Sequence, residues 1–330
     1  MPVRRLSETD IARISDARGL DLSPTEIADF ETLCNGVIEG YEVIDGIPEP
    51  ARQPIAAVRD PGREAGRDED PLNGVVRFCD VSAVQPSGSA LKGKTIGVKD
   101  TICVSGVPMG CASRLLYDYT PHVDATVVTR ILDAGGRITA VLNTDDFAFS
   151  GGGHTSVHGP GLNPRDPAYT AGGSSCGSAI AAASGQVDIA LGGDQGGSIR
   201  IPSSWSGIVG HKPTHGLVPY TGIVGFDQTI DHIGPMTTTV ADAALLLGVI
   251  AGRDESAIDP RQPTEIAVPD YKSQLTGKID DLKIAIVDEG FGTPDSRPEV
   301  DAAVRAAAEE LARKGATVER VSVPEHAWTV

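Results

Sequence analysis

Apolar and polar positions along this chain follow two periods that alternate with each other. Near the start, Ile27, Phe30, Leu33 and Val37 recur at the spacing of one helical face. Ser23-Pro24-Thr25-Glu26 just before them forms a capping box with proline at the first helical position. Further on, short apolar runs predict a buried strand at 95–99 (TIGVK) and further strands at 138–142, 187–191, 283–287 (KIAIV) and 317–323. Between them lie segments with helical character. These are 124–134 with Asp124 as N-cap and Gly135-Gly136 as stop, the small-residue run 178–184, and the stretches 241–251 and 297–314.

Strands alternating with helices predict an α/β fold, with a mixed, mainly parallel β-sheet covered by helices on both faces, over residues 74–330. Residues 1–73 predict something else: an N-terminal helical arm, then a linker. The arm would pack on the main body or, in a homodimer, on a second copy of the chain. From 47 to 73 the chain is rich in Pro, Arg, Asp and Gly, with PEPARQP and DPGREAGRDEDP. No helical or strand period is visible there, so it reads as a linker or surface strap. No repeat stands out at solenoid periods.

Composition narrows the partners. The 330 residues suit one large α/β domain or two modest ones, and 40% hydrophobic with 22% charged is ordinary for a soluble protein. A formal net charge of -17 argues against nucleic acid or an anionic membrane surface, both of which attract Lys/Arg patches. The five cysteines are an odd number without a CxxC pair, which disfavours a disulfide framework or a zinc knuckle and fits a reducing cytosol. MPVRRLSETDIARI has no apolar core of a secretory signal, and the longest apolar stretch, near 243–251, is too short for a bilayer. A cytoplasmic protein is the expectation.

Candidate chemistry collects in three Gly/Ser segments, Ser150-Gly151-Gly152-Gly153, 171–179 (AGGSSCGSA) and 192–201 (GGDQGGSIRI). Glycine and serine dominate ordinary turns. The last two segments, however, end directly against apolar elements, where consecutive glycines leave N–H groups open to an anion or an oxyanion. Ser198 follows Asp194-Gln195-Gly196-Gly197, so its hydroxyl is accessible, but a serine needs a base to act as a nucleophile. No histidine stands in an obvious triad arrangement. Lys99 ends an apolar strand, and burial there would lower its pKa toward neutrality. A lysine snorkelling at a strand end is the plain alternative. His154 and His158 are four apart in a Gly/Ser/Pro loop without a carboxylate pattern, and no metal site is expected.

GVKD at 97–100, GGSSCGSAIAAASG from 172 and ALGGDQGGSIRIPSSWSGIVGHKPTHGLVPYTG from 190 together resemble the amidase signature family. Ser174 lies 75 residues after Lys99 and Ser198 lies 24 after Ser174, separations similar to that family's Lys–Ser–Ser triad. The later TIDHIGPMTTTVADAALLLGVIAGRD and the N-terminal arm resemble the amidases found beside nitrile hydratases. The resemblance implies an amidase signature fold and cofactor-free, metal-free hydrolysis of a small-molecule carboxylic amide. It implies Ser198 as acylated nucleophile, Ser174 as bridging serine on a cis peptide bond, and Lys99 as base. It further implies an oxyanion hole from the N–H groups of Gln195, Gly196, Gly197 and Ser198, support from Ser175, a brace from Asp194 and Arg200, and a pocket segment at Phe149 and Ser150. Position 176 is Cys where the family usually has Gly, and Ser206 stands where relatives often carry Cys. Family domains also run beyond the Val330 of this chain, so the domain is expected to be C-terminally short. Three other functions compete: esterase or carbamate hydrolysis at the same site, an α/β-hydrolase with Ser175 in Gly173-Ser174-Ser175-Cys176-Gly177, and a non-catalytic or amidotransferase-type subunit.

Overall fold

The computed structural model describes residues 3–47, 54–117, 119–255, 259–294 and 296–328. The chain divides into two compact units, Met1–Gln53 and Pro54–Val330. The first holds two helices, α1 (Glu8–Arg18) and α2 (Pro24–Asp45). The capping box expected at Ser23 caps α2. A second box starts α1, where Ser7 accepts from the Asp10 N–H and Asp10 answers the Ser7 N–H. Its third position is Asp rather than Glu or Gln, which hides the motif in the sequence. Asn35 fixes the hairpin by bonding both the N–H and the carbonyl of Leu6 at 2.9 Å.

The second unit is built on a seven-stranded sheet. Its strands are β1 (Ala57–Glu64), β2 (Val75–Ala83), β3 (Thr95–Lys99), β4 (Arg137–Leu142), β5 (Ile189–Asp194), β6 (Val209–Gly210) and β7 (His232–Thr237). They lie in the order β1-β2-β4-β3-β5-β7-β6. The sheet is mixed: β4, β3 and β5 run parallel at its centre, and the flanking pairs are antiparallel. Helices α3 (Thr126–Asp133), α4 (Cys176–Ala183), α5 (Arg200–Ser206) and α6 (Val240–Ile250) pack around it. Toward the C-terminus β8 (Lys283–Val287), α7 (Pro298–Arg313) and β9 (Thr317–Val321) form a separate βαβ unit with a parallel two-stranded sheet. Among the described residues no helix is long and apolar enough to cross a membrane.

Two expectations need correction. The segment read as a linker contains β1, which pairs with β2 along its length; residues 48–53 of that segment lie outside the described residues. Its burial pattern is mostly exposed, so no apolar alternation announces it, and Pro61-Gly62 sits at the bulge between Asp60 and Arg63. An edge strand tolerates Pro at a bulge, because the missing N–H is not needed there. Asp124 does not cap α3. Ala125 stands at the N-cap without a side-chain bond. The Asp124 carboxylate accepts instead from Arg59 Nη1 at 3.0 Å and from the Ser105 N–H at 2.9 Å. A buried carboxylate gains more from a guanidinium than from a helix N–H.

The sheet has two faces and each has its own core. Ile96, Val98, Ile138, Val141, Ile189 and Leu191 join α3 and α6. Ala140, Leu142 and Ala190, their neighbours in sequence, point the other way, onto the small residues of α4. Alternation along β3 therefore sends Lys99, next to Val98, to the α4 face.

Candidate active site

Lys99 is fully buried, and its Nζ donates to Ser174 Oγ at 2.7 Å. The strand period supplies the direction, and α4 supplies the partner just ahead of its first turn. Burial disfavours the charged amine and pulls its pKa from 10.5 down to about 8, against opposing pulls that include the carboxylates of Asp145 and Asp194. Such an amine spends part of its time neutral near pH 7 and can then take a proton from a hydroxyl.

The Gly173–Ser174 peptide bond is cis. Gly173 has no alternative at its position, since a Cβ there would lie 2.1 Å from Asp145 Oδ2. Asp145 is itself fully buried and ties the Gly/Ser segments together. Its carboxylate accepts the N–H groups of Gly153, His154 and Thr155 at 2.8–2.9 Å, and its own N–H donates to Ser174 O at 3.1 Å. The sequence carries no motif for this role, because Asp145 is one acid among two in NTDDF.

Ser198 sits in the turn between β5 and α5, 6% exposed. Asp194 holds that turn. Its carboxylate accepts the Gly197 N–H at 2.8 Å, the Ile199 N–H at 3.2 Å, and both Arg200 Nε and Nη2 at 2.9 Å. Burial opposes the Asp194 charge, and the Arg200 guanidinium with these N–H groups outweighs it, so the carboxyl lies below its usual range. Ser175 links the serine segments: its N–H donates to Ser198 O at 3.2 Å, and its Oγ donates to Gly193 O at 3.1 Å and accepts the Gly193 N–H at 3.2 Å.

One expected oxyanion donor is already engaged. The Gly197 N–H points at Asp194, so it does not belong with the open donors. Among the described residues the N–H groups of Gln195, Gly196 and Ser198 have no acceptor. The Gln195 side chain is held apart from them, donating to Tyr220 Oη at 3.1 Å and to Asp231 Oδ1 at 2.8 Å. Among the described residues no hydrogen bond joins Ser198 Oγ to Ser174 Oγ; the two serines are tied through Ser175.

A cavity of about 330 Å³ opens beside Ser198. Phe149 and Ser150 line it, as do Gln195, Ile201, Phe226 and Ile230. The rings of Phe149 and Phe226 stack with centroids 5.0 Å apart. Phe226 lies outside any motif, and Ile201 and Ile230, though within the segments 190–222 and 229–254, carry no signal of a pocket role in the sequence.

The α/β-hydrolase arrangement finds no support in this geometry. Ser175 is fully buried, and both partners of its Oγ are main-chain atoms of Gly193. The Cys176 thiol is also fully buried, and burial pushes it up to about 12, which leaves it protonated and unreactive. Among the described residues no group of three or more His, Cys, Asp or Glu is arranged to hold a metal ion.

Residues 79–330 match the family described as Amidase. The chain belongs to that family. It is 47% identical over 261 residues to an enantioselective amidase of Rhodococcus rhodochrous, covering 78% of this chain and 49% of that protein. It is 46% identical over 246 residues to a glutamyl-tRNA(Gln) amidotransferase subunit of Synechococcus sp. (strain RCC307), covering 74% and 49%. Among solved structures, the corresponding amidotransferase subunit from Thermotoga maritima superposes with a TM-score of 0.71 at 37% identity, over 78% of this chain and 56% of that one. The peptide amidase of Stenotrophomonas maltophilia gives 0.65 at 34% identity, over 73% and 50%. The chain spans about half the length of the curated amidase-family relatives it matches. The fold agrees with these structures in its mixed sheet and surrounding helices.

Proposed function

We propose that this amidase-family chain hydrolyses a carboxylic amide through an acyl-enzyme on Ser198. The observation that carries the reading is the buried Lys99 Nζ–Ser174 Oγ contact of 2.7 Å, behind a serine that borders an open cavity. Neutral Lys99 takes the Ser174 proton while Ser174 takes that of Ser198. Catalytic hydrogen bonds are often long in a free enzyme and tighten with substrate, so the Ser198–Ser174 link closes on binding. Ser198 Oγ bonds to the amide carbon, and the N–H groups of Gln195, Gly196 and Ser198 hold the oxyanion. Ser174 returns a proton to the departing amine as the C–N bond breaks. Water then repeats the sequence, releasing the acid and restoring Ser198.

The test is ammonia release from a primary amide by the purified chain, with intact-protein mass spectrometry for the acyl adduct. Ser198→Ala is expected to give no adduct. Lys99→Ala is expected to lower kcat/KM by orders of magnitude, and full activity of Lys99→Ala near pH 7 rejects the relay. The identity with the amidotransferase subunits supports a second reading, in which the same site works inside a complex. Ammonia release by the chain without any partner discriminates against it.

A further inference from the structure

Asp100 follows Lys99 in the chain and is fully buried. Main-chain donors balance it. Its Oδ1 accepts the Gly110 N–H at 3.0 Å, its Oδ2 accepts the Ala112 N–H at 2.8 Å, and its carbonyl accepts the Cys111 N–H at 3.1 Å. Three successive N–H groups thus converge on one residue, the outer two on its carboxylate and the middle one on its main-chain carbonyl. The segment brings an unusual backbone with it: Cys111 and Ala112 are both left-handed, each at φ 51, without being glycine.

The carbonyls on the opposite side of these peptides bond to two neighbouring segments. Cys111 O accepts the Phe147 N–H, and Ala112 O accepts the Val157 N–H, both at 2.9 Å. Phe147 and Ala148 are left-handed too, at φ 45 and 61. Ala148 and Phe149 then form one wall of the cavity beside Ser198. Four strained residues are therefore joined by hydrogen bonds into one path, and the carboxylate of Asp100 stands at its inner end.

We propose that Asp100 is a positioning residue that latches segment 110–112 and, through Phe147, sets the wall at Ala148 and Phe149 against which a large substrate rests. The proposal rests on the reading of the Ser198 cavity as an amide site. It makes the residue next to the general base also the one that determines how large a substrate the cavity accepts.

The experiment compares steady-state constants for phenylacetamide and acetamide. Asp100→Asn keeps the shape but offers one acceptor oxygen in place of two. The KM of phenylacetamide relative to acetamide is expected to rise about fivefold or more, with their kcat ratio unmoved. Adding Ala112→Gly, which adopts the left-handed backbone without a Cβ penalty, is expected to recover part of the loss. A KM ratio that stays put in Asp100→Asn overturns the proposal. So does an equal fall in kcat for both amides with unchanged KM, which would mean that Asp100 acts through Lys99.

Should the variants not accumulate folded, the unaltered protein carries the test. Burial raises the Asp100 carboxyl to about 6, with Arg77 of β2 and the Cys111 thiol of the segment as the facing groups. The KM ratio is then expected to climb as pH falls through about 6, and a constant ratio from pH 8 to pH 5 overturns the latch; Lys99 protonation affects both amides alike and cancels in the ratio. Absence of turnover of either amide by the unaltered protein speaks against the amide reading itself and is thereby told apart from failure of the latch.

Discussion

Lys99 shows how one residue's environment decides its chemistry. In water its amine would be almost entirely charged at pH 7; here burial brings it to about 8, so about a tenth is neutral at pH 7. The active form is the neutral one, and it accumulates as pH rises. The expected profile of kcat/KM rises with pH up to about 8 and then levels; a profile flat down to pH 5 contradicts a lysine base. Asp194 is the second case. The family resemblance implies a brace with Arg200, and the geometry gives Asp194 more partners than that, since it also restrains the N–H groups of Gly197 and Ile199. Asp194→Asn leaves part of this set unpaired. It is expected to cost about 2–3 kcal/mol in urea unfolding and to lower turnover as the Ser198 turn loosens. The reassignment of the Gly197 N–H belongs to this scale as well. A run of glycines advertises open donors, but a sequence does not say that a nearby carboxylate has already claimed one.

Elements explain which parts of the pattern were visible. TIGVK and KIAIV coincide with β3 and β8 because apolar runs of that length have few other homes. α5 and β7 escape the sequence pattern, and each contains a proline, Pro202 in the first turn of α5 and Pro235 within β7. Proline is tolerated in a first helical turn, and in a strand it argues against the assignment, so both elements are hidden. The turn between β5 and α5 depends on Gly197, which has φ 130, and a Cβ there would lie 2.6 Å from Ile201 Cδ1. Gly197→Ala is therefore expected to destabilise by about 1–3 kcal/mol and to reduce activity more than stability, because the displaced turn carries Ser198. Thermal unfolding and amide turnover on the same preparation check both halves of this expectation.

Across the molecule, distant segments hold one another. Arg59 of β1 and Asp124 are 65 residues apart, and the carboxylate is 1% exposed. Removing the guanidinium strands a buried charge, so Arg59→Ala is expected to cost about 3–5 kcal/mol, read as a lower urea midpoint. A shift under about 0.5 kcal/mol would show β1 to be a dispensable strap. The strand–helix alternation, the capping of α2, the Gly/Ser turns and, by resemblance, the amidase family are all legible in the linear chain. The first three are local, since propensity, period and capping act over a few turns of chain, and the resemblance is carried by motifs and their separations along the sequence. Packing in three dimensions was needed to bring Lys99 onto Ser174 across 75 residues, to set Asp194 on the Gly197 N–H, and to join β1 to the sheet. Those contacts depend on which face a side chain takes and which backbone lies alongside, and neither exists until the sheet has formed.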